Sequence, residues 1–143
     1  MLQEGSGAEL VAAIREAPRA LVFISVPWSV PERNARQVFC AAVARIEDVS
    51  KKHAIRFFRL EVDEDEISQQ WLSSVGLLPF AGAGAGSLLW LEAGQVISSE
   101  ITANSLGTKG VVDRTTTLWK SRAETTDEGD RDIIPPPPAS QSS

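Results

Sequence analysis

Cysteine and histidine each occur once in this chain of 143 residues, as Cys40 and His53. One cysteine excludes an intramolecular disulfide, and one histidine cannot form a zinc site by itself. A serine nucleophile would also need a base beside it, which a single distant histidine does not supply. The sequence therefore predicts no catalytic residue, no metal site and no cofactor.

Long apolar runs and a basic leader are also missing. Residues 76–91 carry no charge, but Gly, Pro and Ser interrupt them, and they fall short of the ~20 apolar residues that a membrane-spanning helix needs. The first seven residues show no basic segment followed by an apolar stretch, so no secretory signal is expected. We expect a cytoplasmic protein without membrane contact.

Charge is concentrated near the end of the chain. Of the net charge of −5, residues 123–143 carry −4 and the remaining residues carry −1. A strongly basic face is therefore not expected, which argues against nucleic acid as a partner. Residues 121–143 are polar and end in a proline run, Pro135–Pro138, so the sequence predicts a folded domain over 1–120 and a disordered tail over 121–143.

Hydrophobic periodicity predicts an α/β domain with four strands. A capping-box spacing, Ser6-x-x-Glu9, opens the first helix, and Ala93-Gly94 joins two strands in a hairpin. The predicted strands are 20–26, 55–62, 87–92 and 95–101. The first predicted helix follows the Ser6 cap and is ended by Pro18; the others are 31–52, 66–75 and a last one from 104 or 105 to about 119 or 120. Asp63 or Asp65 should cap the third helix. The first two strands should be parallel and the last two antiparallel, in a central mixed sheet flanked by helices.

Three stretches carry a family resemblance. They are Leu21–Glu32, with its Trp28-Ser29-Val30-Pro31-Glu32 turn, then Arg-Leu-Glu-Val-Asp at 59–63, and Ser-Leu-Leu-Trp-Leu-Glu-Ala-Gly-Gln-Val at 87–96. In order and spacing they resemble the strand with its Trp-Cys-Gly-Pro-Cys turn, the Lys-Leu-Asn-Ile-Asp strand end and the hairpin of the thioredoxin family. The resemblance covers roughly residues 8–120 and implies a thioredoxin-like fold.

The departures from the family pattern fall on its chemistry. Ser29 and Glu32 stand at the two cysteine positions, and Phe23 stands where the family has a buried proton-handling Asp. Either Gly86 or Pro79 occupies the position of the family's cis-proline. A hydroxyl cannot form a mixed disulfide, and Ser29-x-x-Glu32 has the spacing of a helix capping box. The resemblance therefore implies the fold without the dithiol activity.

The first functional hypothesis is a redox-inactive module that binds or scaffolds a protein or peptide. In the resembled fold, the turn before the helix and the loop before the third strand form a shallow groove for extended peptide. Here that groove would contain Trp28, Ser29, Val30, Pro31, Pro79 and Gly86.

A second hypothesis is a thiol-redox protein that works through Cys40, by a glutathione adduct or an intermolecular disulfide. Cys40 lies ~16 Å beyond Ser29 along the helix, too far to act as a resolving partner. It follows Phe39 on an apolar face, which favours a buried, inert thiol; an exposed thiol of low pKa would favour the second hypothesis. A small accessory subunit with no groove is the third hypothesis.

Two further patterns have simpler explanations. The Ala-Gly repeat at 81–86 leads into a strand pattern and has no Lys, so a loop is favoured over a phosphate cradle. The acids at 61–66 lack the spacing of a calcium loop and suit a helix start. Trp71, Trp90 and Trp119 are expected in or at the edge of the core.

Overall fold

A mixed sheet of five strands forms the centre of this computed structural model, which describes residues 2–26, 29–62, 65–76 and 86–131. The strands are β1 (Leu2–Gly5), β2 (Arg19–Ser25), β3 (Ile55–Glu61), β4 (Ser87–Glu92) and β5 (Gln95–Glu100). The helices are α1 (Ala8–Glu16), α2 (Val30–His53), α3 (Glu66–Ser74) and α4 (Ala103–Arg131). The strand order is β1-β3-β2-β4-β5. Strands β1 and β2 run parallel to β3, β4 runs antiparallel to β2, and β5 antiparallel to β4.

Apolar side chains on both faces of the sheet build two cores, because neighbouring residues of a strand point to opposite faces. Val22 and Ile24 of β2 pack with α1 and α3 in the first core. Leu21 and Phe23 pack with α2 and α4 in the second. The predicted α/β sheet with helices on both faces is confirmed. The three tryptophans expected in the core are buried, namely Trp71, Trp90 and Trp119.

Strand β1 was not predicted, so the expected number of four strands was wrong. Its four residues, Leu-Gln-Glu-Gly, contain one large apolar side chain and carry no readable alternation. The strand forms because β3 offers it an edge, with Leu2 opposite Phe57. Its polar side chains also find partners there, since Arg59 Nε donates to Glu4 Oε1 (2.5 Å) and Arg56 donates to Gln3.

The start of helix α1 differs from the predicted capping box. The N-cap is Gly7, whose φ of 92° lies in the region that favours glycine, rather than Ser6. The Gly7 amide donates to Asp65 Oδ2 (3.0 Å) and to Ser68 Oγ (3.2 Å). The same Asp65 oxygen accepts from the Ser68 amide (2.7 Å) and caps α3, as predicted for Asp65. The alternative cap, Asp63, lies outside the described residues.

The hairpin between β4 and β5 is confirmed at Ala93-Gly94. Both residues have positive φ, 53° and 81°, and Glu92 pairs with Gln95, which is the geometry of a two-residue type I′ turn. The turn is held against the segment between α1 and β2, because the Ala93 amide donates to the Pro18 carbonyl (3.0 Å).

Helix α4 is kinked at Gly107 (φ 71°, ψ 171°) and accommodates the Thr115-Thr116-Thr117 run. Thr115 is buried, and its hydroxyl donates to the Val111 carbonyl (2.8 Å) while accepting from Trp90 Nε1 (2.8 Å). The helix continues to Arg131, beyond its expected end at Trp119 or Lys120. The division into a domain over 1–120 and a disordered tail stays a prediction, and residues 132–143 lie outside the described part. No described helix is long and apolar enough to cross a membrane.

Candidate functional site

The predicted groove residues that the structure describes lie at the start of α2 and directly before β4. Ser29 immediately precedes α2 and is buried, with 4% of its surface exposed, and its amide donates to the Val26 carbonyl (2.9 Å). Val30 begins the helix and is 70% exposed. Gly86 is buried beside the start of β4. Trp28 and Pro79 lie outside the described residues, and of Pro31 only the helical backbone is described.

Gly86 brings the end of its loop into close contact with α2. A Cβ at this position would lie 2.3 Å from Ala35 Cβ and 3.2 Å from the Phe23 ring, and the φ of Gly86 is +78°. Both the space and the backbone therefore require glycine. Of the two candidates for the cis-proline position of the resembled family, Gly86 and Pro79, the structure describes Gly86.

The residues after β5 lie beside Gly86 and form the other side of the site. The Ala103 amide donates to the Gly86 carbonyl (2.8 Å), and Ser87 Oγ donates to the Ile101 carbonyl (2.5 Å). Ile101 is 56% exposed. Across the site, Asn34 of α2 donates from Nδ2 to Asn104 Oδ1.

These contacts define an exposed patch that we call the helix-start surface. It consists of Val30, Asn34, Ile101 and Asn104 around the buried Gly86. Val30 and Asn34 lie one turn apart on α2 and so share a face. The surface combines two exposed aliphatic side chains with an amide pair.

Glu32, which the family resemblance aligns with the second cysteine, is fully buried. Its Oε1 accepts from Ser25 Oγ (3.0 Å), and its Oε2 accepts from Arg36 Nε (2.6 Å). The capping-box spacing predicted that the Glu32 carboxylate accepts from the Ser29 amide. In the structure the Ser29 amide donates to the Val26 carbonyl, and the Glu32 carboxylate accepts from Ser25 and Arg36. A buried charge is tolerated when it is paired and hydrogen-bonded, so Glu32 ties the first turn of α2 to the end of β2.

Arg59 extends this polar cluster to the edge of the sheet. Its Nη1 donates to Ser25 Oγ (2.9 Å), its Nε donates to Glu4 Oε1 (2.5 Å), and its Nη2 lies 3.1 Å from Glu61 Oε2. Sequence reasoning missed the cluster. The available signal was Arg59 and Glu61 alternating within an apolar strand, but their partners follow only from the strand order.

Cys40 is exposed, so its predicted burial was wrong. The buried residues of α2 include Phe39 and Val43, and Cys40 follows Phe39 by one position, a turn of about 100° around the helix axis. Partial burial raises the pKa of the Cys40 thiol, and Glu4 raises it further, while Arg59 and Arg36 act in the lowering direction. A raised pKa means that little reactive thiolate is present at neutral pH.

The similarity of this chain to known proteins is found in its structure. No family model matches the chain, and no curated protein matches its sequence. Among solved structures it is similar to the thioredoxin of Fasciola hepatica, with 16% identity, a TM-score of 0.55 and coverage of 78% of this chain and 97% of that one. It is also similar to the thioredoxin of Malassezia sympodialis, with 17% identity, a TM-score of 0.54 and coverage of 89% and 90%. The thioredoxin of Trypanosoma brucei brucei gives 10% identity, a TM-score of 0.55 and coverage of 89% and 92%. The fold is thioredoxin-like, as predicted.

Proposed function

We propose that this chain is a redox-inactive thioredoxin-like module that binds an extended peptide segment of another protein at the helix-start surface. The observation that carries the proposal is the burial of Glu32, with both carboxylate oxygens hydrogen-bonded, where a dithiol protein needs its second cysteine. Exchange of a disulfide for a dithiol needs two neighbouring thiols. The one thiol of this chain lies further along α2, on its exposed face.

The exposed aliphatic side chains support binding at this place. Three large hydrophobic residues of the described structure are exposed, and two of them, Val30 and Ile101, belong to the helix-start surface. Asn34 and Asn104 lie beside them and carry amide groups, which can pair with a peptide backbone. An apolar contact beside amide groups suits an extended peptide with one aliphatic anchor.

Selection from a displayed library of random peptides, with the immobilised full chain as bait, tests this function. Titration of a selected peptide should shift the backbone amides of residues 29–34 and 101–104. Val30→Asp should weaken binding roughly tenfold or more, because it places a charge at the apolar anchor. The matched control is Ile67→Asp on α3, a residue 46% exposed on the opposite side of the sheet, which should leave the affinity unchanged.

Two outcomes contradict the proposal. One is equal weakening by both variants; the other is a set of shifted amides confined to residues 121–143, which would make the folded part a carrier for a tail motif. The absence of redox activity has its own test. Reduction of insulin disulfides by dithiothreitol should proceed at the rate of the reductant alone, and a faster rate that Cys40→Ser abolishes would overturn it.

The exposure of Cys40 favours a second function, thiol chemistry with glutathione, although the raised pKa of the thiol counts against it. In that reaction the thiolate attacks glutathione disulfide, forms a mixed disulfide and releases one glutathione thiol. Mass spectrometry after incubation with glutathione disulfide at neutral pH decides the point. Faster adduct formation in the folded chain than in the urea-unfolded chain would favour this function, and slower formation would reject it.

A further inference from the structure

Arg59 connects the edge of the sheet with the start of α2. Its three guanidinium nitrogens each have a protein partner: Glu4 on β1, Ser25 at the end of β2, and Glu61 on β3. Only 14% of the Arg59 side chain is exposed, while its partners Glu4 and Glu61 are 50% and 37% exposed. The planar guanidinium fixes the relative positions of its partners, which a lysine ammonium cannot do.

The hydroxyl of Ser25 connects Arg59 with helix α2. It accepts from Arg59 Nη1 (2.9 Å) and donates its one proton to Glu32 Oε1 (3.0 Å). The direction of its proton is therefore set by the two charged groups on either side. Glu32 belongs to the first turn of α2, as does the exposed Val30, so a displacement of Glu32 moves the helix-start surface.

Strand β1 is the shortest described element of this connection. It is four residues long and pairs with β3 alone within the described sheet. Short edge strands belong to the least stable parts of a fold. If β1 left β3, Arg59 would lose Glu4 and keep Ser25 and Glu61, and the guanidinium that donates to Ser25 would change position.

We propose that pairing of β1 with β3 regulates the helix-start surface through the contacts Glu4–Arg59–Ser25–Glu32. This regulation rests on the function proposed above, since it acts on the same surface. A partner that pairs with β1 or withdraws it would alter peptide binding at Val30 without touching it.

Two neighbouring substitutions in β1 test the connection in the free protein. Glu4→Gln removes the charge that Arg59 binds, whereas Gln3→Ala removes a side chain on the opposite face of the strand, where it contacts Arg56. We expect Glu4→Gln to shift the amide resonances of residues 29–34 and to speed their hydrogen exchange roughly tenfold, because a charge-assisted hydrogen bond is lost. Gln3→Ala should leave these amides unchanged. Equal effects of both variants, or no effect of Glu4→Gln beyond β1 and β3, would overturn the proposal.

A double-mutant cycle shows whether the effect runs through Ser25. Ser25→Ala should shift the same amides, and adding Glu4→Gln to it should produce little further change at 29–34, because the connection is already broken. A full effect of Glu4→Gln in the Ser25→Ala background would show another route and overturn the proposal. Arg59→Lys keeps the charge but not the planar fork. If Ser25→Ala fails to fold, Arg59→Lys takes its place in the cycle and should shift the amides of residues 29–34. Since all readouts use the chain without peptide, a failure of peptide binding would overturn the proposed function and leave this result standing.

Discussion

The carboxylate of Asp65 accepts a hydrogen bond from the backbone amide of Gly7, 58 residues earlier in the sequence, at 3.0 Å. Its same oxygen, Oδ2, also accepts from the Ser68 amide at 2.7 Å. One side chain therefore satisfies one amide at the start of each of two helices, Gly7 before α1 and Ser68 in the first turn of α3. These helices cover the same face of the sheet, so Asp65 joins them at their N-terminal ends.

Replacing Asp65 by alanine should lower the free energy of unfolding by about 2 kcal/mol, the upper end for loss of an N-cap, because two helix starts are affected. Denaturant melts measure the change. The control is Asp113→Ala, which removes an exposed carboxylate paired with Lys109 and should cost less than about 0.5 kcal/mol. Equal costs for the two variants would show that Asp65 does not join the helices.

The contribution of Asp65 should depend on pH. Hydrogen bonds from the Ser68 side chain, and next from the Ser68 and Gly7 amides, lower the pKa of Asp65 below its usual value of about 3.9. The unfolded chain then holds the proton more tightly than the folded one. The stabilisation is present above the unfolded value and is lost as the pH falls through the lowered pKa of the folded chain. The difference between the melts of the wild type and Asp65→Asn should be constant above about pH 4 and should shrink as the pH falls below that value; a constant difference down to about pH 2 would contradict the assignment.

Gly86 and Gly76 offer a matched pair, since both have a φ of +78°. A Cβ at Gly76 meets nothing within 4 Å, whereas at Gly86 it would lie 2.3 Å from Ala35 Cβ. Gly76→Ala should cost about 1–2 kcal/mol for the left-handed backbone. Gly86→Ala should cost about 1–3 kcal/mol more because of overpacking against α2. Thermal or denaturant melts compare the two, and similar costs would mean that the loop moves away freely.

Thr115 is the hydrogen-bond partner of a fully buried tryptophan nitrogen, Trp90 Nε1, at 2.8 Å. Thr115→Val keeps the shape but leaves that donor without its acceptor, so we expect a loss of about 1–3 kcal/mol in the free energy of unfolding. Thr117→Val changes an exposed residue of the same run and should stay within about 0.5 kcal/mol. If both variants unfold at the same denaturant concentration, the buried hydrogen bond does not contribute as described.

Cys40 should react with a disulfide reagent such as Ellman's reagent in the folded state, because it is exposed. The rate should still rise as the pH passes the usual thiol pKa of about 8.5, since burial and Glu4 raise the pKa of this group. Glu4→Gln removes one of these causes and should speed the reaction at a given pH. A thiol that reacts only after denaturant is added would contradict the exposure.

Local sequence patterns were sufficient to predict most helices and strands, but they predicted few of the contacts at the site. The hairpin at Ala93-Gly94 and the cap at Asp65 depend on residues close in sequence, and both were predicted. The contact between Glu4 and Arg59 joins residues 55 positions apart and exists only because β1 lies beside β3. The exposure of Cys40 depends on which side of α2 meets the sheet, and the residue beside it, Phe39, is buried.

Of the predicted groove, the structure describes Ser29, Val30 and the backbone of Pro31 at the start of α2, and Gly86, which contacts α2. The sequence indicated these residues through the family resemblance. It did not indicate Ile101 or Asn104, because their position beside Gly86 follows from the hydrogen bond between the Ala103 amide and the Gly86 carbonyl. Peptide binding there remains a proposal, as does the disordered tail.

The turn at Ala93-Gly94 has a consequence for engineering. Hairpin tips are the usual positions for inserting tags or grafting loops, since they tolerate added residues. This tip is anchored, because its Ala93 amide is bonded to the Pro18 carbonyl and a Cβ on Gly94 would lie 2.9 Å from the Arg15 carbonyl oxygen. An epitope inserted between these two residues should therefore lower the melting temperature, so this hairpin is a poor position for a reporter.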